Sequence, residues 1–233
     1  MPGNPHTELA ELLKASPVFG HLPQNELALL ASRFRLAEYR DQEIIFFQGD
    51  SSEAYFVVVH GKVKIVKQSE TGQTVLLELV LPGEVFAALA VFDGKPYPAT
   101  AQSIGRSQVA WLSRQDLMAL LGRHPEISSK TILHVVERVR RAHEMRMRMA
   151  TQRVERRIIE ALLDLAPRIG EHADGVVRMS LTRRDLAEIV GTTVETCIRV
   201  MGRLKAQGLV DSRRGWVLVP NLDALRAAAV EWE

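Results

Sequence analysis

Residues 181–208 read LTRRDLAEIVGTTVETCIRVMGRLKAQG, and their pattern decides the fold of the C-terminal part of the chain. The segment predicts two short helices separated by a turn at Gly191. Thr182 is placed to cap the first helix, and Thr192 or Thr193 to cap the second. Two short helices that cross steeply at a glycine-bearing turn are typical of a helix-turn-helix.

The second of these helices is predicted to bury one face and to present the other to DNA. The residues expected to point inward are Cys197, Val200, Met201 and Leu204. The outward residues of its first turns lie where a recognition helix meets base edges in the major groove. The predicted DNA contacts of the segment are Thr182, Thr192, Thr193, Val194, Glu195, Ile198, Arg199 and Arg203. An ordinary three-helix bundle that does not bind DNA is the alternative.

The residues that follow Gly208, LVDSRRGWVLVPN, predict a β-hairpin. Its strands are expected at Leu209–Asp211 and Trp216–Val219, around a turn that carries Arg213, Arg214 and Gly215. A basic hairpin after a recognition helix is a wing. Its arginines are expected to contact phosphates.

Composition sets limits without deciding the function. The chain has 233 residues, 46% hydrophobic content and a formal net charge of +2, which is too small to indicate nucleic-acid binding by itself. No basic segment precedes an apolar run, and no apolar run approaches about 18 residues, so a cytoplasmic protein without a membrane span is expected. The single cysteine, Cys197, excludes an internal disulfide and an iron–sulfur cluster ligated by the cysteines of one chain, and it is expected in the core.

The first half of the chain predicts two short helices and then a small antiparallel barrel or roll. The helices, LAELLKASPVF and NELALLASRF, are interrupted at Pro17 and Pro23. Short alternating or β-branched runs separated by glycine-bearing turns then indicate strands. The predicted strands are Glu43–Gln48, Tyr55–His60, Gly61–Lys67, Thr74–Val80 and Gln108–Leu112.

A long helix is predicted from Pro125 to about Ala150. It carries a mostly apolar stripe, assigned to a dimer interface, of Ile132, Val135, Val139, Ala142 and Met149, with Arg146 in the same register. The alternative is packing on the chain's own roll, and both hold if Ile127, Leu133 and Val136 face the roll. A homodimer is favoured because a two-fold axis suits a palindromic site read by two helices about 34 Å apart. A further helix follows a hinge at Thr151–Arg153.

Four segments together resemble the Crp/Fnr family of bacterial transcription regulators: IIFFQGD at 44–50, YFVVVHGKVKI at 55–65, LPGEVF at 81–86, and the helix-turn-helix at 181–204. The resemblance implies an α+β fold with an N-terminal antiparallel β-roll, similar to cyclic-nucleotide-binding domains, over 1–124. A dimerisation helix over 125–151 and a winged helix-turn-helix over 152–233 complete this implied fold. The resemblance also implies RNA polymerase as a partner. Family recognition helices carry a glutamate and an arginine four residues apart, so Glu195 is expected to read cytosine and Arg199 guanine.

The expected effector pocket departs from the family members that bind cyclic AMP. Those members carry a Gly-Glu pair where this chain has Ala87-Ala88, and an Arg-Ser pair where it has Tyr97-Pro98. His143 on the long helix is assigned to the same pocket. A cyclic phosphate without an arginine is poorly compensated for its lost hydration, so cyclic AMP is predicted not to bind.

Other cofactors are weighed from the same residues. The cysteine cluster of the oxygen-sensing branch is absent, whereas YPATAQ at 97–102 resembles the branch that regulates nitrogen-oxide metabolism, often with haem. The sequence therefore neither assigns nor excludes a haem cofactor. The histidines lack metal-site spacing, and no metal is predicted.

A cupin-like metalloenzyme with an accessory DNA-binding tail is the alternative function. That chemistry needs several histidines and a carboxylate from neighbouring strands, and the predicted strands supply only His60. No nucleophile elbow or phosphate-binding loop occurs, so no enzyme activity is predicted.

Overall fold

The computed structural model describes residues 5–68, 74–173, 175–213 and 215–231. These residues form two compact units. The first holds the described residues up to Arg141 except 74–76, and the second holds 74–76 and the described residues from Ala142 onward. The division therefore falls inside the long helix, whereas the sequence predicted a separate helical segment with boundaries at 125 and 151.

The helices and strands have the following bounds. The helices are α1 (Pro5–Ala15), α2 (Gln24–Arg33), α3 (Ala88–Asp93), α4 (Arg114–Arg123), α5 (Pro125–Thr151), α6 (Val154–Ile169), α7 (Arg183–Val190), α8 (Val194–Ala206) and α9 (Leu222–Glu231). The strands are β1 (Arg35–Tyr39), β2 (Ile44–Phe46), β3 (Ala54–Gln68), β4 (Thr74–Val80), β5 (Val85–Phe86), β6 (Thr100–Ser113), β7 (Gly170–Ala173), β8 (Val176–Ser180), β9 (Asp211–Arg213) and β10 (Trp216–Val219).

An antiparallel sheet forms the roll that the sequence predicted. Its strands follow the order β1-β6-β3-β4, while β2 also pairs with β6 and β5 with β3. The long pairing of β3 with β6 sets Phe56 opposite Trp111 and Ile65 opposite Ala101. α1 and α2 bury Leu9, Leu13 and Leu27 in the larger core of this unit.

Two predicted strands of the roll are one strand in the structure. Tyr55–His60 and Gly61–Lys67 merge into β3, which shifts register on both sides of His60. Gly61, with φ of 77°, lies at this irregularity rather than in a turn between strands. An interior glycine often marks such a bulge, because an extra residue needs a conformation that side chains disfavour.

The sequence also missed strands that have weak local patterns. β1, β5, β7 and β8 were not predicted, and β6 begins eight residues before the predicted Gln108. β1, β5 and β8 each pair with a strand that is distant in sequence, and such pairing overrides weak local propensity, whereas β7 is the edge strand of a hairpin with β8.

The long helix α5 packs on the roll along only part of its circumference. Ile127 and Thr131 are buried there, and Arg138 forms an ion pair with Glu78 of β4. Burial and the nearby Arg141 charge lower the pKa of Arg138 to about 10. Leu133 and Val136, predicted to face the roll, are instead 62% and 42% exposed, because Arg138 and the buried residues occupy the side of the helix that meets the sheet.

The second unit surrounds the helix-turn-helix with a small sheet and two further helices. Its strands follow the order β7-β8-β10-β9, all antiparallel. Ile158, Ile159 and Leu162 of α6 are fully buried and form the base of this unit. α5 ends at Thr151 and α6 begins at Val154, in agreement with the predicted hinge.

Candidate nucleic-acid interface

The first helix of the helix-turn-helix, α7, begins at a complete capping box. The Thr182 side chain accepts a hydrogen bond from the Asp185 backbone N–H, and the Asp185 carboxylate accepts one from the Thr182 backbone N–H at 3.0 Å. Asp185 is buried, so its carboxylate is a structural group. Two otherwise unpaired backbone donors are satisfied, which fixes where the helix starts. Thr182 remains at the surface, but its hydroxyl is committed to this cap.

The turn between the helices depends on Gly191. Its φ of 71° and ψ of 52° are left-handed, and its N–H donates to the Ala187 carbonyl. A glycine in this conformation ends a helix at the lowest steric cost. The Thr192 N–H donates to the same carbonyl at 3.0 Å. The chain therefore leaves α7 and enters α8 after only two further residues.

The recognition helix α8 is capped by Thr193, whose side chain accepts from the Thr196 backbone N–H. Its buried residues are the predicted ones: Cys197, Val200, Met201 and Leu204. Burial raises the pKa of the Cys197 thiol to about 11, although the charge of Arg183 opposes this shift. Cys197 is thus a core residue, as predicted.

The opposite face of α8 holds the predicted base-reading residues. Glu195, Ile198 and Arg199 are exposed, and Val194 is half-buried. The Arg199 Nη2 donates to the Thr196 hydroxyl at 3.4 Å, and that hydroxyl lies 3.1 Å from the Thr193 hydroxyl. Arg199 is thereby positioned along the helix face. Thr196 escaped the sequence analysis, although its spacing of three residues from both Thr193 and Arg199 could have revealed it.

Arg203, one turn further along, has an intramolecular partner. Its guanidinium pairs with the Glu155 carboxylate at the start of α6. The pKa of Glu155 lies below its ordinary value because its own backbone N–H donates to the carboxylate, and Arg203 lowers it further. Arg203 thus braces α8 against α6, a role that its position on the helix surface did not predict.

The wing differs in detail from its predicted strands. β9 runs from Asp211 to Arg213 rather than from Leu209 to Asp211, and β10 is as predicted. Leu209 and the buried Val210 form the connection from α8 to the wing, because the Leu209 N–H still donates to the Leu204 carbonyl at 3.0 Å. The first strand of the wing therefore begins two residues later than predicted. Arg213 is therefore the last residue of a strand, exposed and paired in register with Trp216. Arg214 lies outside the described residues.

Two further arginines join the wing to its surroundings and were not predicted. Arg183 Nη2 donates to the Ser212 hydroxyl at 2.8 Å and so links the start of α7 to β9. The Arg178 guanidinium lies 3.8 Å from the centre of the Trp216 ring. A cation over an aromatic ring holds both groups in place. Neither contact is visible in the sequence, because each joins elements that are far apart in the chain.

Two of the residues assigned to an effector pocket lie in the core of the roll. Ala88 and Tyr97 are buried, and the Tyr97 ring stacks on Phe46 with centroids 3.8 Å apart. The Tyr97 hydroxyl donates to the Ala54 carbonyl at 2.8 Å and accepts from the Ala54 N–H at 3.1 Å. Burial raises the pKa of Tyr97. Ala87 directly precedes α3 and has a left-handed φ of 64°, and Pro98 is exposed.

An open cavity in the first unit lies apart from the roll residues that were assigned to an effector pocket. It measures about 520 Å³ and is lined by Pro17, Glu84, Lys130, Leu133, His134, Glu137 and Arg141. None of Ala87, Ala88, Tyr97 and Pro98 lines it. His143 is exposed on α5. Within the described ranges, no group of three or more histidine, cysteine or acidic side chains is arranged to hold a metal ion.

Two family models match the chain, one in each half. A cyclic nucleotide-binding domain matches residues 36–124, and a Crp-like helix-turn-helix domain matches residues 156–228. The nitrogen fixation regulation protein FixK of Azorhizobium caulinodans is 30% identical over 232 residues, which are 97% of this chain and 90% of that protein. The cyclic AMP receptor protein of Thermus thermophilus is 29% identical over 93% of this chain and 98% of its own length.

A solved structure has the same fold. FixK2 from Bradyrhizobium japonicum superimposes with a TM-score of 0.74 at 24% identity, over 83% of this chain and 96% of that chain. Among the helices of the described residues, none is long and apolar enough to cross a membrane. The relatives are transcription regulators, which removes the metalloenzyme alternative. With its roll, its long helix and its winged helix-turn-helix, the chain belongs to the Crp/Fnr family of DNA-binding transcription regulators.

Proposed function

We propose that this regulator binds a two-fold symmetric promoter site as a homodimer and reads its bases with Glu195 and Arg199. The geometry of α8 carries the proposal. Four apolar residues anchor one face of the helix in the core, while Glu195, Ile198 and Arg199 project from its first turns on the other face. A helix in this arrangement presents its N-terminal turns to the major groove.

The two charged residues have complementary chemistry for a G·C pair. The Arg199 guanidinium matches the O6 and N7 acceptors of guanine, and the Glu195 carboxylate accepts from the amino group of cytosine. Ile198 and Val194 lie beside them and offer apolar contact to thymine methyl groups. Thr192 and Thr193 at the start of the helix, together with Arg213 of the wing, are assigned to phosphates.

The exposed side of α5 supports the homodimer. Ile132, Val136 and Val139 are 63%, 42% and 47% exposed, and their spacing of four and three residues lines them up on one side of the helix. Ala142 continues this apolar stripe, whereas the predicted Val135 is half-buried beside it. A second copy of the helix is the partner we propose for it, because apolar residues repeating at threes and fours form the seam between paired helices.

Selection from random DNA duplexes tests the proposal. The protein is expected to enrich two inverted half-sites whose centres lie about one helical turn apart, with two chains per duplex. The molar mass of the complex in sedimentation gives the stoichiometry. Enrichment of a single asymmetric site bound by one chain would show that the homodimer assignment is wrong.

We also propose that cyclic AMP is not the effector. The positions that bear the Gly-Glu and Arg-Ser pairs in cyclic-AMP-binding members are Ala87-Ala88 and Tyr97-Pro98, and Tyr97 is held by Phe46 and by both backbone groups of Ala54. A cyclic phosphate placed there finds no arginine to offset its desolvation. Calorimetry with the purified protein is expected to give no saturable heat, and a micromolar site would overturn this proposal.

A haem cofactor is tested by the absorption spectrum of the protein as purified. A Soret band would assign a haem-based sensor, and a colourless protein is expected if the regulator acts without one. The one histidine on the strands of the described part of the roll, His60, lies 2.8 Å from the Glu8 carboxylate, so its ring already has a partner within the chain.

Contact with RNA polymerase is the remaining part of the proposal. A promoter-bound regulator changes transcription by helping or blocking the polymerase. Run-off transcription from a promoter that carries the selected site measures this effect. Equal transcript yields with and without the protein would contradict it.

A further inference from the structure

One guanidinium in the second unit holds the ends of two helices together. Arg157 lies on the first turns of α6, and its Nη1 donates to the Met149 carbonyl at 3.1 Å and to the Gln152 carbonyl at 3.5 Å. Its Nη2 donates to the Gly191 carbonyl at 3.4 Å. A single side chain thus connects the end of α5, the hinge after it and the turn of the helix-turn-helix.

These carbonyls explain why an arginine fits this place. Met149 lies in the last turn of α5, and Gly191 is the residue that ends α7. The last carbonyls of a helix have no partner inside it, and the helix dipole makes that end negative. The planar guanidinium has several donors in a fixed fork, so one cation can serve the ends of both helices at once.

An apolar contact reinforces the same junction. The methyl group of Met149 lies 2.6 Å from the position that a Cβ on Gly191 would occupy. The absence of a side chain at Gly191 therefore lets Met149 pack on the turn. Met149, assigned from the sequence to the dimer interface, here contacts its own helix-turn-helix. We call Met149, Arg157 and Gly191 the hinge clamp.

The hinge clamp sits where it controls the direction of α8. Only Thr192 and Thr193 separate Gly191 from the first residue of the recognition helix. Fixing Gly191 to the end of α5 therefore fixes the start of α8 relative to α5. Other contacts near the hinge do not reach the helix-turn-helix. Arg148 of α5 pairs with Asp164 of α6 at 2.6 Å, and Gln152 of the hinge donates to Glu160 of α6 at 3.0 Å.

We propose that Arg157 is a positioning residue that sets which half-site spacing the regulator accepts. The inference rests on the proposed function, in which α5 pairs with its copy and two α8 helices read inverted half-sites. The hinge clamp holds the start of α8 against the last turn of α5, so it limits how far each recognition helix can move when the separation of the half-sites changes. Inserting one base pair moves a half-site by about 3.4 Å and rotates it by about 35°. A dimer whose recognition helices are held rigidly loses affinity when the spacing changes. A dimer whose hinge clamp is loosened can adjust its recognition helices to the new spacing and loses less affinity.

The experiment compares Arg157→Met with Arg168→Met in the full-length protein. Methionine keeps most of the apolar stem of Arg157 and removes every donor. Arg168 lies at the other end of α6 and is exposed, so its substitution removes the same charge from the same helix without touching the hinge clamp. Affinities are measured for the selected symmetric duplex, for duplexes with one base pair added or removed between the half-sites, and for a duplex with one half-site.

The expected result is a change in spacing preference and not in base recognition. Wild type and Arg168→Met should lose about tenfold or more when the spacing changes by one base pair, whereas Arg157→Met should lose about threefold or less. All three proteins should bind the single half-site alike. A merely structural role for Arg157 would lower every affinity by the same factor and leave the spacing preference unchanged.

Each outcome decides the inference. A folded Arg157→Met protein with the wild-type spacing preference overturns it. If Arg157→Met does not fold, Arg157→Lys replaces it, since lysine keeps the charge but lacks the fork that reaches all three carbonyls; a wild-type preference in that variant overturns the inference as well. If the wild type itself binds all spacings equally, the inference is wrong; if the wild type binds one half-site as tightly as two, the symmetric dimer of the proposed function is wrong.

Discussion

The two functional helices, α5 and α8, each bury one side and expose the other, but their exposed sides differ in chemistry. On α5 the exposed stripe is apolar, with Ile132 and Val139 at its centre. On α8 the exposed side carries Glu195 and Arg199 around the single large apolar residue Ile198. Exposure of a contiguous apolar stripe to water costs free energy and is typical of an interaction surface, whereas charged and hydrogen-bonding groups suit the edges of base pairs.

This difference shows that exposure alone does not define a site. The roll adds a third case, since Ala88 and Tyr97 at its expected effector positions are neither apolar surface nor accessible polar groups. Burial, exposed apolar surface and exposed charge therefore distinguish these three regions, for which we propose a packed core, self-association and DNA binding. Four measurements test the comparison between α5 and α8.

The largest effect is expected on the apolar side of α5. Val139→Glu places a carboxylate in the stripe, and dimerisation would bury two of these charges near the two-fold axis. We expect a monomer in sedimentation and at least about 1000-fold weaker binding to the symmetric site, because one recognition helix then binds without the other.

Lys130→Glu is the control for this prediction. It lies nine residues earlier, two and a half helical turns away, and therefore on the opposite side of α5. It changes the charge by more than Val139→Glu does, yet the dimer should persist. A Val139→Glu protein that sediments as a dimer would remove the distinction between the two helices.

The buried side of α8 is tested through Cys197, the only cysteine of the chain. Because burial raises the pKa of its thiol to about 11, the thiol stays protonated at neutral pH. The native protein should react with a thiol reagent at pH 7 more slowly than the unfolded chain, because the native thiol is buried and a smaller fraction of it is thiolate. The native rate should keep rising with pH above the range in which the unfolded rate has levelled, because the native pKa is raised. Equal native and unfolded rates would contradict the burial of this side.

The exposed side of α8 is tested by Arg199→Ala. Loss of a bidentate contact to guanine should weaken binding to the selected site by about 1–3 kcal/mol, or about 5- to 150-fold, and should leave binding to random DNA nearly unchanged. Fluorescence anisotropy on both duplexes measures the two affinities. Equal losses on both would mean that Arg199 contacts phosphate and does not read a base.

The smallest effect is expected at the wing. Arg213→Ala removes a phosphate contact, so specific and random DNA should both lose affinity by the same few-fold factor. The slope of log affinity against log salt should fall in magnitude by about 0.9. A loss confined to the selected site would assign base reading to the wing and would weaken the special status of α8.

The helix-turn-helix was predictable because its determinants are local. The capping box at Thr182 and Asp185, the left-handed Gly191 and the buried residues of α8 all lie within a few residues of their partners. Helical spacing therefore reveals them. The roll was predicted as a class, but the full lengths of β3 and β6 were not, because these strands acquire their length from pairing with residues far away in the chain, such as Phe56 with Trp111, 55 residues apart.

The sequence by itself determined the family, the order of the domains and the two faces of the recognition helix, since these follow from motifs and from periodicity within single segments. The tertiary structure alone decided which neighbours each surface residue has. It exposed Val136 rather than burying it, paired Arg203 with Glu155, and placed Arg157 against the ends of two helices. The physical reason is that a helix pattern specifies which residues share a face, whereas the groups that cover that face come from distant parts of the chain.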